Sequence, residues 1–182
     1  MTTNRFTARR FIKTATLAFA ALFASTLVAP SASAVYLGEN RIESIDRPGM
    51  CLASNGSVLR LSGCNWNWTD AEQSWILNTT GNTPNGYDQV TIRHHATNRY
   101  LVAYYRADQL GTWGGIYMAV EGANGTNKIY WDGVGSSWQD VKLQAFTDRT
   151  NWARSCLDVN HPSLGSTCGS GVNAQRWKLT RR

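Results

Sequence analysis

Beyond position 34, apolar residues come in short bursts rather than long helical stripes. Val58-Leu59-Arg60-Leu61, Gln89-Val90-Thr91-Ile92 and Val141-Lys142-Leu143 alternate or cluster over only a few positions. An apolar period of two marks half-buried strands, because successive strand side chains point to opposite faces. Between the bursts lie clusters of Gly, Asn, Asp and Ser, residues that favour turns. Asn-Gly occurs at 55–56, 85–86 and 124–125, and its tolerance of left-handed backbone suits hairpin turns. No segment in this region sustains a 3.6-residue apolar period. The pattern predicts an all-β chain.

The N-terminus reads differently. Arg5, Arg9, Arg10 and Lys13 precede an apolar run from Ala15 to Ala29, and then comes Ala32-Ser33-Ala34. A basic start, an apolar middle and a small-x-small end predict an export signal over 1–34, cleaved after Ala34. The run is short for a membrane span. Thr7 to Lys13 partly resembles a twin-arginine signal without the usual spacer, so general secretion is the preferred route. No Cys stands near the cleavage point to carry a lipid. The expectation is a secreted protein, extracellular or periplasmic, with one domain over 35–182.

Cleavage changes the charge. The full chain carries +6 with 18 Lys+Arg against 12 Asp+Glu. The signal holds four of the basic residues and no acidic one, leaving 14 against 12. The basic character belongs mainly to the signal, so nucleic acid is not an expected partner. Eight Trp and seven Tyr supply enough apolar surface to fold the remainder.

Cys51, Cys64, Cys156 and Cys168 all fall in the exported part. An even count in an oxidising compartment favours two disulfides, with three pairings open. The short-range pairing, Cys51–Cys64 with Cys156–Cys168, closes two loops of near-equal length, each contributing roughly 3 kcal/mol. A metal site is disfavoured, because the chain has no Cys-x-x-Cys and no His beside either pair.

The surroundings of the two cysteine pairs match. Cys51-Leu52-Ala53, Cys64 and Gln73-Ser74-Trp75-Ile76-Leu77 correspond to Cys156-Leu157-Asp158, Cys168 and Gln175-Arg176-Trp177-Lys178-Leu179. A degraded middle copy runs from Tyr100-Leu101-Val102 to Gln139-Asp140-Val141-Lys142-Leu143, with Tyr in place of Cys and Val in place of Trp. Such self-similarity indicates a repeat architecture. Three β-rich units, each too small for its own core, are expected to close on one another about a pseudo-threefold axis.

Cys-Leu, a second Cys and Gln-x-Trp, repeated in this way, resemble the ricin-type β-trefoil lectin family over nearly all of residues 42–182. The resemblance implies twelve strands in four-strand units, forming a six-stranded barrel capped by hairpins, with intra-repeat disulfides. It also implies that Gln73, Trp75, Gln175 and Trp177 are core residues rather than ligands. In the family, an Asp two residues after the first Cys of a repeat accepts hydrogen bonds from sugar hydroxyls. That place holds Ala53, Val102 and Asp158, so only the third copy keeps it. Asp158 with Asn160 and His161 is the expected polar cluster. The copy departs from the pattern elsewhere: Gly165-Ser166-Thr167 supplies no stacking ring before Cys168, and Ala174 replaces the ligand Asn, with Asn173 one position early. The competing reading makes Asp158 a turn residue and His161 a loop filler beside Pro162.

Aromatic residues appear away from the family places. Asn65-Trp66-Asn67-Trp68 follows Cys64, and a strand-like alternation there would put both rings on one face. A long insertion in the second copy carries Tyr104, Tyr105, Trp113, Tyr117, Tyr130, Trp131 and Asp132. Aromatic rings on polar loops point to a binding surface, with core packing as the alternative. Trp66, Trp68, Tyr104 and Trp131 join Asp158, Asn160, His161 and Asn173 as candidate sugar contacts.

No enzyme motif is present: the chain lacks Gly-x-Ser-x-Gly, His-Glu-x-x-His and a phosphate-binding loop. His94 and His95 have no free Cys to activate. Asp108 with Asp132 cannot be promoted to a glycosidase pair on sequence alone. The expectation is a non-catalytic binder of cell-surface glycoprotein or glycolipid glycans, with no cofactor or metal. An eroded lectin with an added aromatic patch also resembles the lectin-like subunits of cytolethal distending toxins, which implies other toxin subunits as partners and contact with glycans or sterol-rich membrane. A protease-inhibitor trefoil would need a braced protruding loop, which the sequence does not suggest.

Overall fold

The computed structural model describes residues 38–83, 85–107, 114–123, 129–145 and 155–182, with backbone alone for 105–107 and 114–116. Residues 1–34 therefore lie outside the described chain, as do the Asn124-Gly125 turn, Asp108 and Trp113. The described residues form strands and two short 3-10 turns. None forms a helix long and apolar enough to cross a membrane.

Among the described residues, twelve strands follow in order. They are β1 (Gly38–Ser44), β2 (Met50–Ser54), β3 (Leu59–Gly63), β4 (Trp75–Asn82), β5 (Asp88–His94), β6 (Arg99–Ala107), β7 (Gly114–Glu121), β8 (Tyr130–Ser137), β9 (Asp140–Ala145), β10 (Ser155–Cys156), β11 (Ser166–Thr167) and β12 (Trp177–Arg181). The alternating bursts become β3, β5 and β9. Val58 falls just outside β3 and is exposed.

The pairing closes on itself. β1 pairs with β4, β4 with β5, β5 with β8, β8 with β9, β9 with β12, and β12 with β1, all antiparallel. A closed ring leaves no unpaired edge among its six strands. The other six strands pair as hairpins, β2–β3, β6–β7 and β10–β11, joined to β1, β5 and β9 respectively. Turn chemistry agrees at Asn55-Gly56, where Gly56 takes φ +110° and Asn55 Oδ1 accepts from Ser57 and Val58 amides.

Inside the ring, Ile42, Leu77, Ile92, Leu143 and Leu179 are buried around three tryptophans. Trp75 donates its indole N–H to Leu52 O at 2.9 Å, Trp131 to Leu101 O at 2.9 Å, and Trp177 to Leu157 O at 3.1 Å. In each case the acceptor follows Cys51, Tyr100 or Cys156. This corrects the expectation for the middle of the chain. Trp131, not Val141, makes the indole contact, and Ile129 stands where Gln73 and Gln175 precede the other two. Val141 lies on β9 opposite Trp177. The two disulfides are Cys51–Cys64 and Cys156–Cys168, with Cα–Cα distances of 5.0 and 5.1 Å.

Candidate functional site

Asp158 follows β10, two residues after Cys156, where the start of the chain has Ala53 and the middle has Val102, both buried and apolar. Asp158 is buried, only 6% exposed. Its Oδ1 accepts from the Asn160 amide at 2.9 Å, the turn-forming bond expected of Asp. Its Oδ2 lies 3.5 Å from Gln175 Nε2, a long contact that leaves acceptor capacity on that oxygen.

Gln175 has a stronger task. Its Oε1 accepts from Gly169 N at 3.0 Å and its Nε2 donates to Thr167 O at 2.9 Å, gripping the chain on both sides of Cys168. Gln73 does the same around Cys64, accepting from Asn65 N at 2.8 Å and donating to Gly63 O and Ser62 Oγ, each at 2.7 Å. Both amides are buried, and both tie a disulfide loop to the turn before a core Trp.

A bond from Val159 N to Ala174 O at 2.8 Å brings the two polar segments together. Asn160, His161 and Asn173 are exposed around them. Asn160 Oδ1 accepts from Arg47 Nη2 at 2.7 Å, a contact between distant parts of the chain that the sequence does not signal. Asn173 Oδ1 accepts from Arg176 Nη1 at 3.0 Å, and Arg176 also pairs with Asp140. That guanidinium holds the Asp140 carboxyl below its ordinary range. The result is a carboxylate, two carboxamides and an imidazole, groups able to exchange hydrogen bonds with vicinal hydroxyls.

The aromatic candidates separate. Trp131 is 0% exposed, with its ring in the core and its N–H on a backbone carbonyl, so it has no free face for a sugar. Trp66 is 44% exposed. Residues 65–68 form a turn rather than a strand, with Asn65 Oδ1 accepting from Asn67 N at 3.1 Å and Trp68 at φ +59°. Strand alternation therefore does not place the two rings on one face. Trp68 is half-buried, with the Arg41 guanidinium 4.4 Å from its ring centroid. Tyr104 stacks on Tyr117 across β6–β7, centroids 6.0 Å apart.

The neighbouring histidines have different surroundings. His94 is fully buried, with Nδ1 3.0 Å from Thr97 Oγ1 and Nε2 3.2 Å from Glu72 O. A carbonyl only accepts, so Nε2 carries the proton. Burial pushes this imidazole below its ordinary value, partly opposed by Glu72. His95 instead meets Glu39 at 3.3 Å. Asp132 is buried on β8. Among the described residues no group of three or more His, Cys, Asp or Glu could hold a metal ion.

No family model matches the chain, and no curated protein matches it. Solved structures do. A mosquitocidal holotoxin shares 14% identity with TM-score 0.58, covering 80% of this chain and 17% of its own. PSL1a in complex with E64 shares 14% identity with TM-score 0.53, covering 80% and 47%. The Polyporus squamosus lectin bound to the human-type influenza-binding epitope Neu5Acα2-6Galβ1-4GlcNAc shares 14% identity with TM-score 0.51, covering 80% and 49%. The chain thus spans half or less of each of these structures. At such identity the likeness is one of fold. The closed ring with three hairpins is a β-trefoil architecture.

Proposed function

We propose that this chain is a secreted, non-catalytic lectin that binds glycans through the Asp158 cluster. The observation that carries this reading is the Asp158 carboxylate, held beside exposed Asn160, His161 and Asn173 with one oxygen only loosely engaged by Gln175. A charged acceptor of this kind contributes about 1.5–3 kcal/mol per sugar hydroxyl bond. The likeness to the glycan-bound Polyporus squamosus lectin supports a glycan as the partner class. Three matching indole-to-carbonyl bonds within a ring of six strands support the reading as three copies of one unit. The basic-apolar-small pattern over 1–34 supports export.

The test is a glycan array of the mature chain, followed by Asp158→Asn. Asparagine keeps an acceptor for the Asn160 amide, so the turn persists while the charge is lost. Affinity for the identified glycan is expected to fall about ten- to a hundredfold. Unchanged affinity would remove Asp158 from the site.

The holotoxin likeness favours a second reading, a cell-binding subunit of a toxin assembly such as the cytolethal distending toxins. Exposed Trp66 supports it as a partner or membrane contact. An empty glycan array together with stoichiometric co-purification of a toxin enzyme would favour this reading over the first.

A further inference from the structure

Arg41 lies outside the Asp158 cluster, and among the described residues no carboxylate hydrogen-bonds it. It sits on β1 with its side chain wholly enclosed. Its Nε donates to Asn65 O at 3.2 Å and its Nη1 to Ser74 Oγ at 2.6 Å. The Ser74 hydroxyl donates onward to Glu39 Oε1 at 2.6 Å, so Glu39 stands one hydroxyl away. Glu39 is also engaged by Arg182 at 2.9 Å and His95 at 3.3 Å. Asp70 is occupied in capping the turn through the Glu72 amide. Arg41 Nη2 has no hydrogen-bond partner among the described residues. Buried cations are normally held by a direct counter-charge, since unmet donors are costly away from water.

What covers this guanidinium is the Trp68 ring, and the cover is strained. Trp68 takes φ +59°, a left-handed backbone that side-chain-bearing residues rarely adopt. Its amide reaches Asn65 O only at 3.4 Å. Trp66, Asn67 and Thr69 around it are exposed. A short surface turn with such ties opens at low cost compared with the ring beneath it.

We propose that Arg41 forms a second binding site, for the carboxylate or sulfate ester of an acidic saccharide, reached when Trp68 lifts from the guanidinium. A planar fork with a free donor suits an oxyanion, which can engage Nη1 and Nη2 together. Exposed Trp66, two residues away along the turn, offers an apolar face for the attached sugar ring. The saccharide part rests on the glycan reading above, while the oxyanion part does not.

The mature chain is titrated with a sulfated oligosaccharide, its desulfated counterpart and inorganic sulfate, followed by tryptophan fluorescence and calorimetry. The sulfated form is expected to bind, to change the fluorescence, and to weaken with added salt. Trp68→Gly relieves the backbone and removes the cover. It is expected to bind about tenfold tighter if the open turn is about a tenth populated. The desulfated counterpart is expected to gain no affinity on Trp68→Gly, which separates this site from the Asp158 cluster. Arg41→Gln, where it still melts cooperatively, should abolish binding; if it does not fold, Trp68→Gly decides. A folded Trp68→Gly chain that ignores the sulfated oligosaccharide overturns the proposal, as does binding that survives Arg41→Gln. Equal affinity for inorganic sulfate overturns the saccharide assignment.

Discussion

Trp66 and Trp131 show how far one side chain's role depends on its neighbours. Trp66 stands between two Asn residues, and its polar surroundings already suggest exposure. Trp131 also has polar neighbours, Tyr130 and Asp132, and lacks the Gln that marks Trp75 and Trp177, so its burial is not legible locally. Only its indole bond to Leu101 O identifies it as the middle core tryptophan. Trp131→Ala is expected to cost about 3–5 kcal/mol, read as a lower urea midpoint, whereas Trp66→Ala should stay within about 0.5 kcal/mol. His94 supplies a pH test. Its folded-state affinity for protons is lowered by burial, so the unfolded chain protonates first as pH falls. The stability it contributes is complete above the ordinary value of 6.5 and declines below it, by at most about 1.4 kcal/mol per pH unit. Urea midpoints between pH 7.5 and 5 should fall less in His94→Gln than in the parent; parallel declines would assign the loss to other groups.

Among the strands, β8 departs from β4 and β12 in an instructive way. Opposite Ile92 stands Leu77, opposite Ile42 stands Leu179, but opposite Leu143 stands Gly133. The missing volume is supplied by Trp138, since a Cβ at Gly133 would meet that ring at 2.7 Å. Gly133→Ala is therefore expected to destabilise by about 1–3 kcal/mol through overpacking, and Trp138→Phe in the same chain should recover part of it. Thermal melts of both variants check this, and purely additive losses would contradict the contact. The hairpins are unequal too. β2–β3 has five registered pairs, β6–β7 eight and β10–β11 two. Extra residues in the middle of the chain are visible in the sequence. That those in β6 and β7 lengthen a hairpin, rather than form a separate loop, follows from register.

For the molecule as a whole, ring closure and the disulfides act on different scales. Closure joins β1 to β12, so neither terminal strand of the ring is left as an edge. The disulfides span separations of only 13 and 12 residues and constrain local loops. Replacing either pair by Ala should cost roughly 3 kcal/mol on the chain-entropy account. If the proposed Asp158 site is the glycan site, loss of Cys156–Cys168 should in addition weaken glycan binding, because Gln175 grips the Cys168 loop and approaches Asp158. Loss of Cys51–Cys64 should lower the melting temperature without that effect. Calorimetric melts paired with glycan titrations distinguish the two.

The all-β class and the short-range cysteine loops were readable from residue order, because period, spacing and turn chemistry are local properties of a chain. The burial of Trp131, the ring of Trp138 filling the space beside Gly133, the reach of Arg47 to Asn160 and the enclosure of Arg41 beneath Trp68 were not. Each joins residues from different strands or loops, and which side chains meet there is set by register and ring closure. Packing is settled between segments, and a linear pattern carries no record of which segments will face each other.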